Sequence, residues 1–274
     1  MAKDEKPEIG ATADANGINT NYLEAGKGDA AILIHGSGPG VTAYANWRLV
    51  IPALAENFRV VAPDMVGFGY SERPGNIKYG VQIWADQVIG LMDALDISEA
   101  HIVGNSFGGA IGLRIVTQHP DRVGKLVLMG SMGVPFPITK GLERVWGYEP
   151  SFENMRKVLD VFTFTKDLAE LVEVRYRDSI QPGFQESYSA MFPAPRQRWV
   201  EAMCTPEEEI RQIAHRTLVI HGREDRVIPL QSSLRLMNLI DNADLNVYSH
   251  CGHWSMIERA KDFNRSVREF LSDR

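Results

Sequence analysis

A serine, a histidine and an aspartate occur along this chain in settings that could support nucleophilic catalysis. Ser106 lies in the segment GNSFG (residues 104–108), which matches the pattern G-x-S-x-G. Small residues two before and two after a serine permit the sharp turn that presents its hydroxyl beside a helix N-terminus, where free N–H groups favour negative charge. We therefore interpret Ser106 as a nucleophile, with a glycine-rich turn as the alternative.

A serine hydroxyl is a weak nucleophile and needs a base to take its proton. Of the seven histidines, His253 is the best candidate, because its segment CGHW (residues 251–254) follows the last predicted strand and so lies at the carboxyl edge of a sheet. The other six stand at strand starts, at a helix end or in loops and strand ends where packing is expected: His35, His101, His119, His215, His221 and His250.

The base in turn needs an acid that holds its tautomer. Asp225 follows a predicted strand at 217–220 and therefore lies at the same edge of the sheet. Its neighbour Glu224 is interpreted as a solvated residue or a salt-bridge partner. The chain order Ser106, Asp225, His253 is that of nucleophile, acid and base in α/β-hydrolases.

A glycine-rich segment, GSGPG (residues 36–40), follows an early predicted strand and could supply N–H groups to a developing oxyanion. We assign this oxyanion hole to the backbone N–H groups of Ser37 or Gly38 and of Phe107. A phosphate-binding loop is the alternative for such a segment. It is weak here, because the pattern G-x-x-x-x-G-K-[ST] is missing and Pro39 has no N–H to donate.

All of these candidates follow short apolar runs, which alternate with longer helical patterns in the way that is typical of βαβ units. In open parallel sheets, ligands bind outside the carboxyl ends of the strands, so one edge would gather the candidates. The predicted strands are 30–34, 58–62, 101–103, 125–128, 217–220 and 244–248. The predicted helices are 81–95, 108–118, 230–240 and 260–271.

One stretch interrupts this alternation, because residues 134–213 contain no strand-like run and are helical in pattern. The sequence therefore predicts a core domain of residues 1–133 and 214–274, with 134–213 inserted as a helical lid. The stretch is rich in aromatic residues, which suits a lid over an apolar pocket. Ordinary burial of large rings in a small helical layer is the alternative.

Composition excludes several classes of protein. The chain has 274 residues, of which 44% are hydrophobic, with a net charge of −6 and no basic cluster, so neither disorder nor nucleic-acid binding is expected. No apolar run could span a bilayer, and the charged start does not resemble a secretory signal. Cys204 and Cys251 form no C-x-x-C pair, so a zinc site is not expected. We expect a cytoplasmic protein without a membrane partner.

Together these motifs resemble the α/β-hydrolase superfamily and, within it, the meta-cleavage product hydrolases that act on monocyclic ring-fission products. The segments that carry the resemblance are 35–40, 46–47, 62–69, 104–109 and 251–254, with 146–148, 181–187, 191–193 and 195–199 in the lid. The resemblance implies an α/β fold with a mostly parallel sheet of about eight strands, helices on both faces and a helical lid. It also implies a homo-oligomer.

The resemblance further implies a substrate and the residues that bind it. The substrate is an anionic 2-hydroxy-6-oxohexa-2,4-dienoate, which is cleaved by water between C5 and C6 to 2-hydroxypenta-2,4-dienoate and a carboxylic acid. Matching of the lid assigns Arg175 to the substrate carboxylate, with Arg156, Arg196 and Arg198 as alternatives. The dienoate pocket would include Asn46, Asn105 and Trp254. No metal or organic cofactor is implied, because the ketonised substrate needs only acid–base groups and is already electrophilic.

Four residues fall where the family forms the pocket for the C6 substituent: Met132, Trp146, Val200 and Val227. Large side chains among them would favour hydrogen, methyl or a small alkyl group over phenyl at C6. Alternatives remain open. The protein could be a carboxylesterase or thioesterase of the same fold, or the hydrolase of the 6-phenyl substrate, and Ser106 could act only as a base for water.

Overall fold

The computed structural model describes residues 6–165 and 169–273. Three parts of the predicted domains lie outside the described residues: 1–5 and 274 of the core and 166–168 of the lid. The strands are β1 (Ala11–Asp14), β2 (Asn19–Ala25), β3 (Ala30–Ile34), β4 (Arg59–Pro63), β5 (Ala100–Asn105), β6 (Val123–Met129), β7 (Thr217–Gly222) and β8 (Ala243–Tyr248).

Thirteen α-helices are described, with one short 3-10 helix at Pro120–Arg122. The helices are α1 (Ala43–Trp47), α2 (Ile51–Leu54), α3 (Val81–Ala94), α4 (Phe107–Gln118), α5 (Lys140–Trp146), α6 (Phe152–Phe162), α7 (Ala169–Ser179), α8 (Phe184–Met191), α9 (Gln197–Ala202), α10 (Glu207–Ile210), α11 (Leu230–Leu239), α12 (Ser255–Glu258) and α13 (Ala260–Ser272).

The eight strands form one sheet in the order β1-β2-β4-β3-β5-β6-β7-β8. The pairs β1–β2 and β2–β4 are antiparallel, and every other pair is parallel. All residues of β3 and β7 are buried, as expected for strands covered on both faces. The predicted fold class, α/β with a mostly parallel sheet, is confirmed.

The six strands and four helices predicted from apolar runs are all present, with bounds that differ by three residues or fewer. Strands β1 and β2 were not predicted from the sequence. Both are polar, and β1 is mostly exposed, so neither has the apolar run by which a buried strand is found. These two strands extend the sheet beyond β4, away from the site described below.

Six helices, α5 to α10, lie between β6 and β7, and no strand is described between them. The last of these, α10, contacts α4 and α11 of the sheet-bearing part. We keep residues 134–213 as the proposed extent of the lid. Across 6–165 and 169–273, no helix has the length and apolar character needed to cross a membrane.

Candidate active site

Ser106 lies on a sharp turn between β5 and α4. Its backbone has φ 55° and ψ −110°, a conformation that L-residues rarely adopt, and its side chain is buried but lines a cavity. A Cβ at Gly104 would lie 2.4 Å from the Gly108 carbonyl oxygen, and one at Gly108 would lie 2.2 Å from the Ile34 oxygen. The turn therefore requires both glycines.

Replacing Gly108 by alanine is expected to lower the free energy of unfolding by roughly 1–3 kcal/mol or more, because the added methyl group meets backbone atoms that cannot rotate away. The matched control is Gly75→Ala, since a Cβ there meets no heavy atom within 4 Å. Urea unfolding of both variants measures the difference. Equal stabilities of the two variants would contradict this account of the turn.

His253 and Asp225 form a hydrogen-bonded pair beside the same cavity. The distance from His253 Nδ1 to Asp225 Oδ2 is 2.7 Å, and Asp225 Oδ1 accepts hydrogen bonds from the N–H groups of Val227 (2.7 Å) and Ile228 (3.0 Å). Burial raises the pKa of Asp225, but the charge and hydrogen bond of His253 outweigh it and hold that pKa below its ordinary value. An ionised Asp225 requires the proton on Nδ1, which leaves Nε2 of His253 free to accept one.

Two other buried histidines have local partners. His35 Nε2 accepts a hydrogen bond from the Met65 N–H (2.9 Å), so Nδ1 carries the proton and donates to the Gly36 oxygen (2.7 Å). Burial lowers the pKa of His35 to about 4. His221 contacts Ser233 and the Ile228 oxygen, and burial also lowers its pKa. Both therefore stay neutral and serve the packing of their segments.

Three backbone N–H groups are available to an oxyanion. Phe107 is the first residue of α4, and the opening N–H groups of a helix have no partner within it. Ser37 and Gly38 line the cavity, and no hydrogen bond is found for their N–H groups within the described part of the chain. The geometry leaves Ser37 and Gly38 as alternatives for the donor opposite Phe107, so their assignment remains our proposal.

Asn46 and Asn105 form a fixed pair at the cavity wall. The Gly36 N–H donates to Asn46 Oδ1 (3.2 Å), which identifies that atom as oxygen, and Asn105 Nδ2 donates to the same oxygen (2.9 Å). Among the described residues, Asn46 Nδ2 and Asn105 Oδ1 are buried without a partner. The pair therefore offers one donor group and one acceptor to a ligand in the cavity. Leaving a buried donor or acceptor without a hydrogen bond costs free energy, so both favour a polar ligand.

Arg175 of α7 is 5% exposed and lines the same cavity. Its Nη1 and Nη2 donate to the carbonyl oxygens of Gly40 and Pro39 (3.2 Å each), while Nε is buried with no partner in the described structure. Burial lowers the pKa of Arg175, and Asp178 raises it. Because arginine stays protonated in proteins, this is a buried cation with a spare donor, and an anionic ligand fits it.

Trp254, which the family resemblance assigns to the dienoate pocket, also lines the cavity. Its ring stacks on Phe162 with 4.5 Å between centroids, and the Arg175 guanidinium lies 5.8 Å from the Trp254 ring. The aromatic pair therefore forms one wall next to the cation.

The apolar wall of the cavity differs from the predicted set. Val227 lines the cavity, whereas Met132, Trp146 and Val200 are buried outside its lining among the described residues. The Met132 N–H binds the Ser106 oxygen behind the turn, and the Trp146 indole stacks on Phe192 at 4.3 Å. The apolar lining instead includes Leu142, Val145, Phe162, Leu171 and Val174.

The sequence contained a signal for part of this wall. Leu171, Val174 and Arg175 stand at helical positions i, i+3 and i+4, so they share one face of α7. Val174 is an exposed apolar residue, and its place in the cavity lining accounts for that exposure. The same spacing places Leu142 and Val145 on one face of α5.

The mostly parallel sheet, with Ser106 and His253 lining one cavity at its edge, is the architecture of the α/β-hydrolase class. The alpha/beta hydrolase fold family matches residues 30–260. Within residues 6–165 and 169–273, no group of three or more His, Cys, Asp or Glu side chains could hold a metal ion.

Comparison with known proteins identifies the family within this class. The chain is 56% identical to a 2-hydroxymuconate semialdehyde hydrolase of Pseudomonas sp. (strain CF600), over 99% of this chain and 97% of that protein. It is 53% identical to a 2-hydroxy-6-oxo-2,4-heptadienoate hydrolase of Pseudomonas putida F1, over 97% of each. A solved meta-cleavage product hydrolase from Pseudomonas fluorescens IP01 superposes with a TM-score of 0.96 at 55% identity, covering 97% of this chain and 98% of that one. This chain belongs to the meta-cleavage product hydrolases.

Proposed function

We propose that this protein hydrolyses the C5–C6 bond of 2-hydroxy-6-oxohexa-2,4-dienoates in the catabolism of aromatic compounds. One observation carries the proposal: the buried, partly unsatisfied guanidinium of Arg175 lines the same cavity as Ser106 and His253. An uncharged ester would offer the spare donor of this buried cation no anionic partner. The two relatives compared above act, by their names, on such substrates.

In the proposed complex, the carboxylate end of the substrate lies at Arg175 and the C6 end lies at Ser106. The substrate carboxylate pairs with Arg175, for which a charged hydrogen bond in a buried site is strong. The unused donor of Asn46 and acceptor of Asn105 suit the 2-oxygen and its hydroxyl hydrogen. The C6 carbonyl then lies toward Ser106, with its substituent against the apolar lining.

Catalysis begins with a proton transfer, because the bound dienol is a poor substrate for C–C cleavage. His253 moves a proton from the 2-hydroxyl to C5, which turns the dienol into the 2,6-diketone. Ser106 then gives its proton to His253 and attacks C6, and the N–H groups of Phe107 and of Ser37 or Gly38 stabilise the oxyanion.

Collapse of the oxyanion breaks the C5–C6 bond. The electron pair flows through C4 and C3 to the 2-oxygen, which takes the proton that His253 had accepted from Ser106 and leaves as 2-hydroxypenta-2,4-dienoate. Water, deprotonated by His253, hydrolyses the acyl group on Ser106 to the carboxylic acid. In the alternative account, Ser106 takes a proton from water, and the water attacks C6 directly.

Replacing Arg175 by glutamine is expected to lower kcat/KM for the dienoate roughly 30-fold or more, because the substrate carboxylate would lose its buried partner. Hydrolysis of an uncharged nitrophenyl ester should fall less, because that substrate has no carboxylate to lose its partner and is affected only through the loop carbonyls that Arg175 holds. Steady-state kinetics with both substrates make the comparison.

The matched control for Arg175 is Arg156→Gln, which removes an exposed arginine of the neighbouring helix that pairs with Glu153. We expect this variant to retain wild-type kinetics. An equal loss on both substrates in Arg175→Gln would assign Arg175 to structure rather than to carboxylate binding.

The proposed function is tested with the yellow ring-fission products of catechol and 3-methylcatechol, by following loss of the dienolate absorbance. Rapid turnover of both is expected. No turnover of either, together with hydrolysis of nitrophenyl esters, would move the assignment to a carboxylesterase or thioesterase.

The preferred C6 substituent is proposed to be hydrogen, methyl or a small alkyl group. Large apolar side chains line the cavity, among them Leu142, Phe162 and Leu171, and their bulk supports a small substituent. The 6-phenyl substrate should have a lower kcat/KM than the 6-methyl one. A clearly higher kcat/KM for the 6-phenyl substrate would contradict the proposed preference for a small C6 substituent.

Two further expectations belong to the proposal. The protein is expected to act in the cytoplasm and to form a homo-oligomer of at least two copies. Light scattering coupled to size-exclusion chromatography measures the number of copies directly.

A further inference from the structure

Two side chains of the lid helices reach the loop that carries the proposed oxyanion donors. The Trp146 Nε1–H of α5 donates to Ser37 Oγ at 3.0 Å. The Tyr188 hydroxyl of α8 lies 3.1 Å from the Ser37 carbonyl oxygen and 2.7 Å from the Val145 oxygen, so it can donate to either. Trp146 and Tyr188 are not among the residues that line the cavity in the described structure, and both direct their polar atoms to the loop behind it.

We infer that Tyr188 and Trp146 are positioning residues, which fix the peptide groups around Ser37 and thereby aim the oxyanion N–H groups into the cavity. The inference rests on the proposed function, because it concerns the step in which charge develops on the C6 oxygen. It also assigns a catalytic consequence to the lid, beyond covering the pocket.

Peptide geometry explains how a contact on a carbonyl can direct an N–H group. In a trans peptide, the C=O bond and the following N–H bond lie in one plane and point in opposite directions. The Ser37 carbonyl belongs to the same peptide unit as the Gly38 N–H, so the Tyr188 hydroxyl sets the direction of that N–H. In the same way, His35 holds the Gly36 carbonyl and sets the direction of the Ser37 N–H.

The surroundings make these contacts strong. Tyr188 is 3% exposed, Trp146 is 2% exposed and Ser37 is 5% exposed, so water does not compete for the three groups. Burial also raises the pKa of Tyr188 well above its ordinary value, so the hydroxyl keeps the proton that it donates. Phe192 stacks on Trp146 and thereby limits rotation of the indole.

The lid holds this loop at further points. Arg175 donates to the Pro39 and Gly40 carbonyls, so three of the four loop residues 37–40 accept a hydrogen bond from the proposed lid, Ser37, Pro39 and Gly40. A glycine-rich loop has many accessible conformations when it is free. Anchoring by the lid removes that freedom before the substrate arrives, which is the preorganisation that an oxyanion hole requires.

The first test replaces Tyr188 by phenylalanine, which removes the hydroxyl and keeps the ring. We expect kcat for C–C cleavage to fall roughly tenfold to a hundredfold, because a misplaced donor loses much of its effect on the transition state. KM should stay within about twofold, since substrate binding uses other groups. In stopped-flow traces, the ketonisation phase should keep its rate, because that step creates no oxyanion at C6.

The matched control is Tyr148→Phe. Tyr148 is also a buried tyrosine of the lid, at 4% exposure, but its hydroxyl contacts Ser179 Oγ (2.8 Å), another lid residue. Both variants lose one buried hydroxyl group, so the temperature of thermal unfolding should fall in both, whereas only Tyr188→Phe should lower kcat.

Trp146 is tested with a double-mutant cycle of Trp146→Phe and Ser37→Ala. If Trp146 acts through Ser37 Oγ, its replacement lowers kcat in the wild-type background and has little further effect when Ser37 is alanine. Independent losses that multiply in the double variant would place the effect of Trp146 elsewhere.

Each variant is assayed with the dienoate and with a nitrophenyl ester, because ester hydrolysis also develops an oxyanion. If the wild-type protein cleaves only esters, the proposed function fails, and a selective loss in Tyr188→Phe would still support the inference. The inference is overturned if Tyr188→Phe keeps kcat within about twofold on every substrate that the wild type cleaves, or if Tyr148→Phe loses as much.

Discussion

Replacement of Ser106 by alanine is expected to lower kcat for C–C cleavage by about 10³-fold or more, the usual result of removing the nucleophile from a triad. The turn that presents Ser106 is held by glycines and by the fit of α4 on β5, so the fold should survive. The variant lacks the oxygen that attacks C6 but keeps His253. It should therefore still bind the dienoate and convert it to the ketone.

Stopped-flow absorbance distinguishes these steps, because ketonisation removes the yellow dienolate and cleavage forms 2-hydroxypenta-2,4-dienoate. The matched control is Ser131→Ala. Ser131 is a buried serine beside the same turn, and its hydroxyl donates to the Met132 oxygen at 2.6 Å. We expect that control to keep kcat within a few-fold of wild type. Unchanged product formation by Ser106→Ala would overturn the role of Ser106 under both the acyl-enzyme and the water-activation accounts.

Replacement of Asp225 by asparagine is expected to lower kcat by about 10³- to 10⁴-fold. The N–H groups of Val227 and Ile228 both donate to Oδ1, so the amide of an asparagine must keep its oxygen there. Its NH₂ group then faces Nδ1 of His253 and donates to it. The imidazole proton is forced to Nε2, and His253 can no longer accept the proton of Ser106.

The control for this variant is Glu224→Gln, which alters the neighbouring carboxylate that the sequence analysis interpreted as a solvated residue or a salt-bridge partner. Glu224 accepts the Cys251 N–H (3.0 Å) and pairs with Arg223, and no contact with His253 is found in the described structure. Its kcat should stay within about threefold of wild type. The pH dependence of kcat/KM for both variants completes the test, and a larger loss in Glu224→Gln would reassign the acid.

Much of the fold could be predicted from local pattern. Strands such as β3 and β7 are continuous apolar runs, because both of their faces are covered, and such runs are visible in one sequence. The strands β1 and β2 carry polar residues and pair at the far side of the sheet, so nothing in their local sequence distinguished them from loops.

The proposed site divides in the same way. Residues that must follow a strand end, such as Ser106, Asp225 and His253, could be chosen by position, because parallel strands bring their carboxyl ends to one edge. The residues of the apolar wall could not be chosen so reliably. Trp146 and Phe162 both lie in lid helices, yet Phe162 lines the cavity and Trp146 turns away to Ser37.

The sequence by itself determined the α/β class, the chain order of the proposed nucleophile, acid and base, and the family to which the motifs point. These depend on residue type and on spacing along the chain. Only the tertiary structure decided which donors and acceptors stay unused in the cavity, namely those of Asn46, Asn105 and Arg175, and that Tyr188 reaches the Ser37 carbonyl. Those outcomes depend on contacts between residues far apart in the chain. Whether a donor or acceptor finds a partner depends on which groups the tertiary structure brings within its reach.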